Sequence, residues 1–256
     1  MSTAQIIYIC ISPIVVALVV FLGTLIKKQK AKDGYLFFWA FVCFFIHIST
    51  MYVSFFENKD GNTGFAWDNQ LFPIYFCNLV MYLLLIVSVW PDKSTKLYQN
   101  IATFTAWGGI FGGLITLFAQ DVDVHNWYNF QSSLSHSCLL IGSLYLFAGK
   151  YIKLNVYNLV PYTFGLLGTG VVGGIVELIF FLAGRPSPNS MYLVHGPVEM
   201  PAMHGGYFAL AMIAIIFVIT VLFEQFTRKD ESTRWYKTTN DLWMYLPKRT
   251  IKENKQ

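Results

Sequence analysis

Charge is what this chain has least of. Only 12% of its 256 residues are Asp, Glu, Lys or Arg, about half the share usual in soluble proteins. No polar stretch is long enough to build a water-soluble domain, so the bilayer is the expected solvent. Cysteine is scarce as well. Cys10, Cys43, Cys77 and Cys138 all lie in apolar runs without CxxC spacing, which argues against a disulfide framework or a zinc site. No basic residue precedes the first apolar run and no small-residue cleavage site follows it. The start therefore reads as an uncleaved helix. GxGxxG and P-loop patterns are missing, and no internal repeat is evident. The net charge of +4 sits in short loops and a tail, which is no nucleic-acid signature.

What the chain does have is apolar runs: 55% of its residues are hydrophobic and 18% aromatic. A spanning helix needs about 20 mostly apolar residues. Seven segments qualify, at 5–26, 35–56, 71–90, 98–119, 128–149, 157–183 and 203–225. The expected fold is all-α and polytopic, with a transmembrane domain over 1–226 and a basic aromatic tail over 227–256. Loops 27–34 and 91–97, the pair Lys150 and Lys153, and the tail hold 16 of the 18 basic residues, leaving Lys59 and Arg185 for the alternate loops. Lys/Arg bias sets orientation, so the N-terminus is expected outside and the C-terminus in the cytoplasm of a cell-membrane protein. The tail mixes bases with Trp235, Tyr236, Trp243 and Tyr245, a composition suited to lying along an anionic leaflet.

Glycines cluster in two spans. Gly108, Gly109, Gly112 and Gly113 form two overlapping GxxxG pairs in the fourth, and Gly165, Gly168, Gly170, Gly173 and Gly174 line the sixth. Small residues let helices approach closely in lipid; a cleft that admits a lipid tail is the other use of such a surface.

Ionisable groups inside spans are costly and mark functional candidates. His136 in the fifth span and Glu177 in the sixth are two of them. At 1.5 Å per residue from the outer span ends, Cys77 lies about 9 Å deep, His136 about 12 Å and Glu177 about 10 Å. Asn129, Ser132, His136 and Ser143 form a polar stripe within about 60° of arc, and Thr169, Gly173 and Glu177 share a face within about 80°. Pro73 would occupy the first turn of the third span, where its missing N–H costs little.

A cysteine, a histidine and a carboxylate at one depth suit nucleophilic acyl transfer, with imidazole as base, thiolate as nucleophile and carboxylate as orienting group. Asn78 and Ser132 are candidate oxyanion donors. Each residue type also has an ordinary role. A membrane cysteine is commonly a small hydrophobe, a membrane histidine an interhelical hydrogen-bonding group, and Glu177 can bond backbone or relay protons. Arg185 at the outer surface can hold a lipid phosphate. His195, Glu199 and His204 lack a fourth ligand and a rigid scaffold, so no metal site, and no cofactor, is expected.

Two stretches carry a resemblance. LFPIYFCNL at 71–79 resembles the "LPLHLCsL" segment of the YwaF-like family, which includes transmembrane protein 164. FQSSLSHSCLLIGSLYLF at 130–147 is similar to that family's second signature, a serine–histidine pair opening a long apolar run. NSMYLVHGP at 189–197 is a weaker likeness. The resemblance implies cysteine-dependent movement of a fatty acyl chain between phospholipids, with nucleophile and histidine at Cys77 and His136. Many members carry histidine two residues before the cysteine, where this chain has Tyr75. The expected function is thus lipid acyl transfer or lipid-ester hydrolysis near the outer leaflet, with membrane phospholipids as partners. A small-molecule or proton-coupled transporter using Glu177 and His136 is the competing reading, and a non-catalytic membrane subunit a third.

Overall fold

The computed structural model describes residues 3–57, 75–119, 122, 123, 125–192 and 205–227. Among them there are seven α-helices and no strand: α1 Thr3–Thr24, α2 Gln29–Glu57, α3 Phe76–Ser88, α4 Lys96–Ala119, α5 Trp127–Ala148, α6 Leu159–Leu182 and α7 Gly205–Thr227. Short 3-10 turns, Val156–Asn158 and Ser190–Tyr192, flank α6. Pro73, the loop holding His195, Glu199 and His204, and the tail beyond Thr227 lie outside the described residues.

Five helical segments are long and apolar enough to cross a membrane: Thr3–Thr24, Gln29–Ser49, Lys96–Phe118, Val156–Leu182 and Gly206–Thr227. Their outer faces are apolar and bare, with Ile14, Phe164, Val171, Phe181 and Leu210 all strongly exposed. Such a continuous apolar surface needs lipid or another apolar covering.

Of the five, α4 is the exception, 72% buried within the bundle, and the other two helices, α3 and α5, pack against it. The third span was expected from residue 71, but Tyr75 is extended (φ −94°, ψ 149°) and the helix begins at Phe76. Its 13 residues extend about 20 Å at 1.5 Å per residue. Val80, Met81, Leu84 and Val87 of α3 are buried against Leu36, Ala40 and Cys43 of α2 and Ala102 and Ala106 of α4. Helix α5 packs on α1, α2, α3 and α4, and its serines are distributed among them. Ser133 O and Ser137 Oγ meet Tyr8 Oη of α1, each at 2.6 Å. The Ser135 carbonyl accepts from Cys43 of α2 at 3.3 Å. Because α5 is wrapped by neighbours, it tolerates polar residues that lipid would penalise.

The two GxxxG pairs of α4 serve different partners. A Cβ at Gly108 would stand 2.9 Å from Val80 and 3.1 Å from Phe76, both on α3. One at Gly109 would collide with Ser143 Oγ, and one at Gly113 would lie 2.8 Å from Leu140 Cβ, both on α5. Helices α6 and α7 pack on the far side of α4, where Phe104, Trp107 and Phe111 meet Tyr162, Met212 and Ile216. At the end carrying the basic loops, Lys93 bridges to Asp33 at 2.7 Å. Tyr151 and Gln29 also donate to that carboxylate, tying two loops to the start of α2.

Most α6 glycines do not pack this way. A Cβ at Gly168, Gly170 or Gly174 meets nothing within 4 Å. Gly109→Ala and Gly113→Ala are therefore expected to cost about 1–3 kcal/mol by overpacking. Gly174→Ala is expected to be neutral or slightly stabilising, since glycine is the poorer helix former by about 1 kcal/mol. Thermal unfolding of the detergent-solubilised variants checks both.

Candidate functional site

A cavity of about 1030 Å³ lies between the α2–α5 body and the α6–α7 pair. One part of its wall is polar, with His47 of α2, Cys77 and Asn78 of α3, and Gln131, Ser132, Ser135 and His136 of α5. The rest is apolar, with Phe111 and Ile115 of α4, Leu166 of α6, and Met212 and Ile213 of α7. The lining is thus polar on one side and apolar on the rest.

Cys77 is the second residue of α3. The intrahelical ladder there starts with Leu79 N–H donating to the Tyr75 carbonyl at 3.1 Å. The thiol thus sits at a first turn, where N–H groups outside the ladder and the positive dipole end favour an anion. A Cβ built on Gly112 would come within 3.2 Å of Cys77 Sγ, so this glycine provides the floor under the sulfur. The neighbouring Gly113 sits against the backbone of His136, its Cβ position 3.1 Å from that carbonyl oxygen. The Cys77 thiol and the His136 backbone therefore flank one Gly–Gly step of α4, and both residues line the same cavity.

The imidazole is oriented by its own helix. His136 Nδ1 is 2.7 Å from the Ser132 carbonyl oxygen. A carbonyl only accepts, so Nδ1 carries the proton and Nε2 of the neutral ring is the basic nitrogen. The polar stripe of α5 places these residues: Ser132 and His136 are four apart, as are Gln131 and Ser135, giving two adjacent rows on one face.

Glu177 does a different job from the orienting one expected. Its carboxylate accepts from Ser187 Oγ and from the Ser190 backbone N–H. It holds the turn after α6, in which Asn189 and Met191 take left-handed φ of 51° and 52°. Such residues cost about 1–3 kcal/mol each and need an external tie. Met191 is thereby seated in the cavity wall. Glu177 itself, Asn129 and Arg185 are not on that wall, whereas Tyr75 is. Of the other cysteines, Cys43 and Cys138 are buried and Cys10 is exposed.

Two cavity residues, His47 and Gln131, were not anticipated from the sequence. His47 is 3% exposed and lines the cavity beside the α5 stripe. The signal was available, since His47 is an ionisable residue inside the second span, about 13 Å from its outer end by the same rise. Glu224 of α7 escaped too; its carboxylate accepts from the Val156 N–H at 3.0 Å and joins α7 to the start of α6.

A family model for the TMEM164 family matches residues 1–238. The chain belongs to this family. No curated protein and no solved structure matches it. Family membership and the apolar helices together make it a multi-pass membrane protein.

In this TMEM164 family member, Cys77 opens onto a cavity while Cys43 and Cys138 are buried in the helix packing. A small membrane-permeant maleimide is expected to modify Cys77 at least tenfold faster than Cys43 or Cys138 in the folded protein, with the difference lost on denaturation. Peptide mass spectrometry after timed labelling reads the three sites separately.

Proposed function

We propose that this protein is a membrane-embedded lipid acyltransferase using Cys77 as nucleophile and His136 as base. All seven helices would cross the membrane, the N-terminus outside and the C-terminus in the cytoplasm. The short α3 and the polar α5 would be shielded by the five apolar segments. That orientation puts the cavity toward the outer leaflet of the cell membrane and the basic loops on the cytoplasmic side, in keeping with Lys/Arg bias. The observation that carries the reading is that thiol and imidazole line one cavity whose remaining wall suits an acyl chain.

In the proposed chemistry, His136 Nε2 takes the thiol proton and the sulfur attacks the ester carbonyl of a phospholipid. The carbonyl–oxygen bond breaks, the leaving lysolipid oxygen takes the proton from the imidazolium, and the acyl group stays on sulfur. An acceptor hydroxyl then gives its proton to Nε2 and attacks the thioester carbonyl. The carbon–sulfur bond breaks and the thiolate recovers its proton. A lipid hydroxyl as acceptor gives a transferase, and water gives a hydrolase. Asn78, which lines the cavity beside Cys77, and the first-turn N–H groups of α3 would serve as oxyanion donors, and stabilising that oxyanion usually lowers the barrier to acyl transfer more than any other effect. The Ser132 carbonyl, in place of Glu177, holds the ring.

The proton-relay reading needs Glu177 and His136 to communicate. Glu177 is instead engaged by Ser187 and Ser190, which favours the acyl-transfer reading. In vesicles containing a phospholipid labelled in its acyl chain and an unlabelled lysophospholipid, Cys77→Ala is expected to abolish acyl exchange. His136→Ala is expected to slow it by about 10²–10⁴, the usual worth of general base catalysis. Glu177→Gln is expected to retain exchange within about tenfold, since Glu177 is not on the cavity wall and glutamine keeps one acceptor oxygen for the turn. Exchange unaltered in Cys77→Ala overturns the proposal.

A further inference from the structure

The cavity is open sideways. Leu167 and Val171 of α6 and Leu210 of α7 line it, yet they are 61%, 64% and 63% exposed. These residues belong at once to the cavity wall and to the apolar outer face of the bundle. The two helices are joined near the start of α6, where Tyr162 Oη donates to Met212 Sδ at 3.2 Å and Glu224 receives the Val156 N–H. Along α6 away from that end, Gly170 is on the cavity wall and a Cβ built on it meets nothing within 4 Å, so the seam is unfilled there.

A second feature lies at the polar end. Gln131 is 1% exposed, and its Oε1 has no hydrogen-bond partner. Among the described residues, it is the one unpartnered buried side-chain oxygen or nitrogen that also lines the cavity. A buried acceptor left unpaired forfeits its hydration without recompense, so the site is complementary to a ligand bringing a donor there. The apolar seam continuous with the lipid-facing surface and the unpaired polar group fit the two halves of one lipid.

We propose that the seam between α6 and α7 is a lateral portal through which a lipid enters from the bilayer. Its acyl chain lies over Gly170 against Phe111, Ile115 and Met212, and a hydroxyl beside its ester meets Gln131. The occupant is a membrane lipid with a free glycerol hydroxyl, not a water-soluble metabolite. The proposal rests on the lipid-ester reading of the cavity, but binding through the portal does not require the thiol.

The test uses the full chain in vesicles doped with a lysophospholipid carrying a diazirine in its acyl chain. Crosslinks are mapped by mass spectrometry in wild type, Cys77→Ala, Gly170→Trp and Gln131→Leu. Crosslinks are expected in peptides spanning 163–171 and 206–213, in wild type and Cys77→Ala alike. Gly170→Trp is expected to reduce them at least tenfold while crosslinks to the outer face of α1 stay unchanged. Gln131→Leu is expected to weaken labelling at least fivefold, and the same probe with its hydroxyl methylated removes the difference between Gln131→Leu and wild type. Crosslinks confined to outer faces in wild type overturn the portal, even if Gly170→Trp fails to fold. Cavity crosslinks that survive Gly170→Trp at full yield also overturn it. Loss of acyl exchange in Cys77→Ala with cavity crosslinks retained supports both readings. Exchange unchanged in Cys77→Ala removes the acyltransferase reading and leaves the portal standing.

Discussion

The architecture depends on one close contact, the double glycine seam of α4. Gly108 and Gly112 let α3 lie directly on the helix, and Gly109 and Gly113 do the same for α5. Lipid supplies no hydrophobic drive between helices, so association rests on surfaces that permit close van der Waals packing and hydrogen bonding. With both neighbours drawn onto adjacent faces of a single helix, Cys77 and His136 come to the same short stretch of α4. A side chain at Gly112 would push on the sulfur itself. The seam therefore links stability to chemistry, because the residues that let the bundle close also set where the thiol can be.

Around that seam the polar groups are sorted by the helix they face. Helix α5 directs Ser133 and Ser137 toward α1, the Ser135 carbonyl toward Cys43 of α2, and Ser143 toward α4. Gln131, Ser132, Ser135 and His136 line the cavity. In a low-dielectric interior each of these groups matters more than it would in water. The Ser132 carbonyl fixes the imidazole tautomer without any second charged residue, which suits a membrane interior where an additional buried carboxylate would be expensive. Glu177 lies off the cavity wall and holds the turn that carries Asn189 and Met191 in left-handed conformations.

Much of this is legible in the sequence, and the failures have physical causes. The apolar runs mark all seven helices, because hydrophobic length is a strong signal in membrane chains. The overlapping GxxxG pairs of α4 point to close packing, and that packing is present on two sides. In α6 the same small-residue pattern leads the other way, since a Cβ at Gly168, Gly170 or Gly174 meets nothing within 4 Å and, of the three, Gly170 lines the cavity; composition alone does not tell a packed glycine from an unpacked one. Counting depth along the spans brings Cys77 and His136 together, although the count begins the third span at residue 71, whereas Tyr75 is extended and the helix starts at Phe76. Glu177 passes the depth test but not the packing one, because helical wheels give a face without saying which neighbour occupies it. His47 was overlooked although the rule that selects His136 applies to it equally.

If the proposed chemistry holds, the Cys77 sulfur carries an acyl group during turnover. Intact-protein and peptide mass spectrometry can look for it on protein quenched in acid after incubation with phospholipid vesicles. A fatty-acyl mass increment is expected on the peptide containing Cys77 alone, removed by neutral hydroxylamine and depleted when a lysolipid acceptor is added. A Cys77 peptide that stays unmodified while acyl chains are nonetheless exchanged refutes the thioester mechanism.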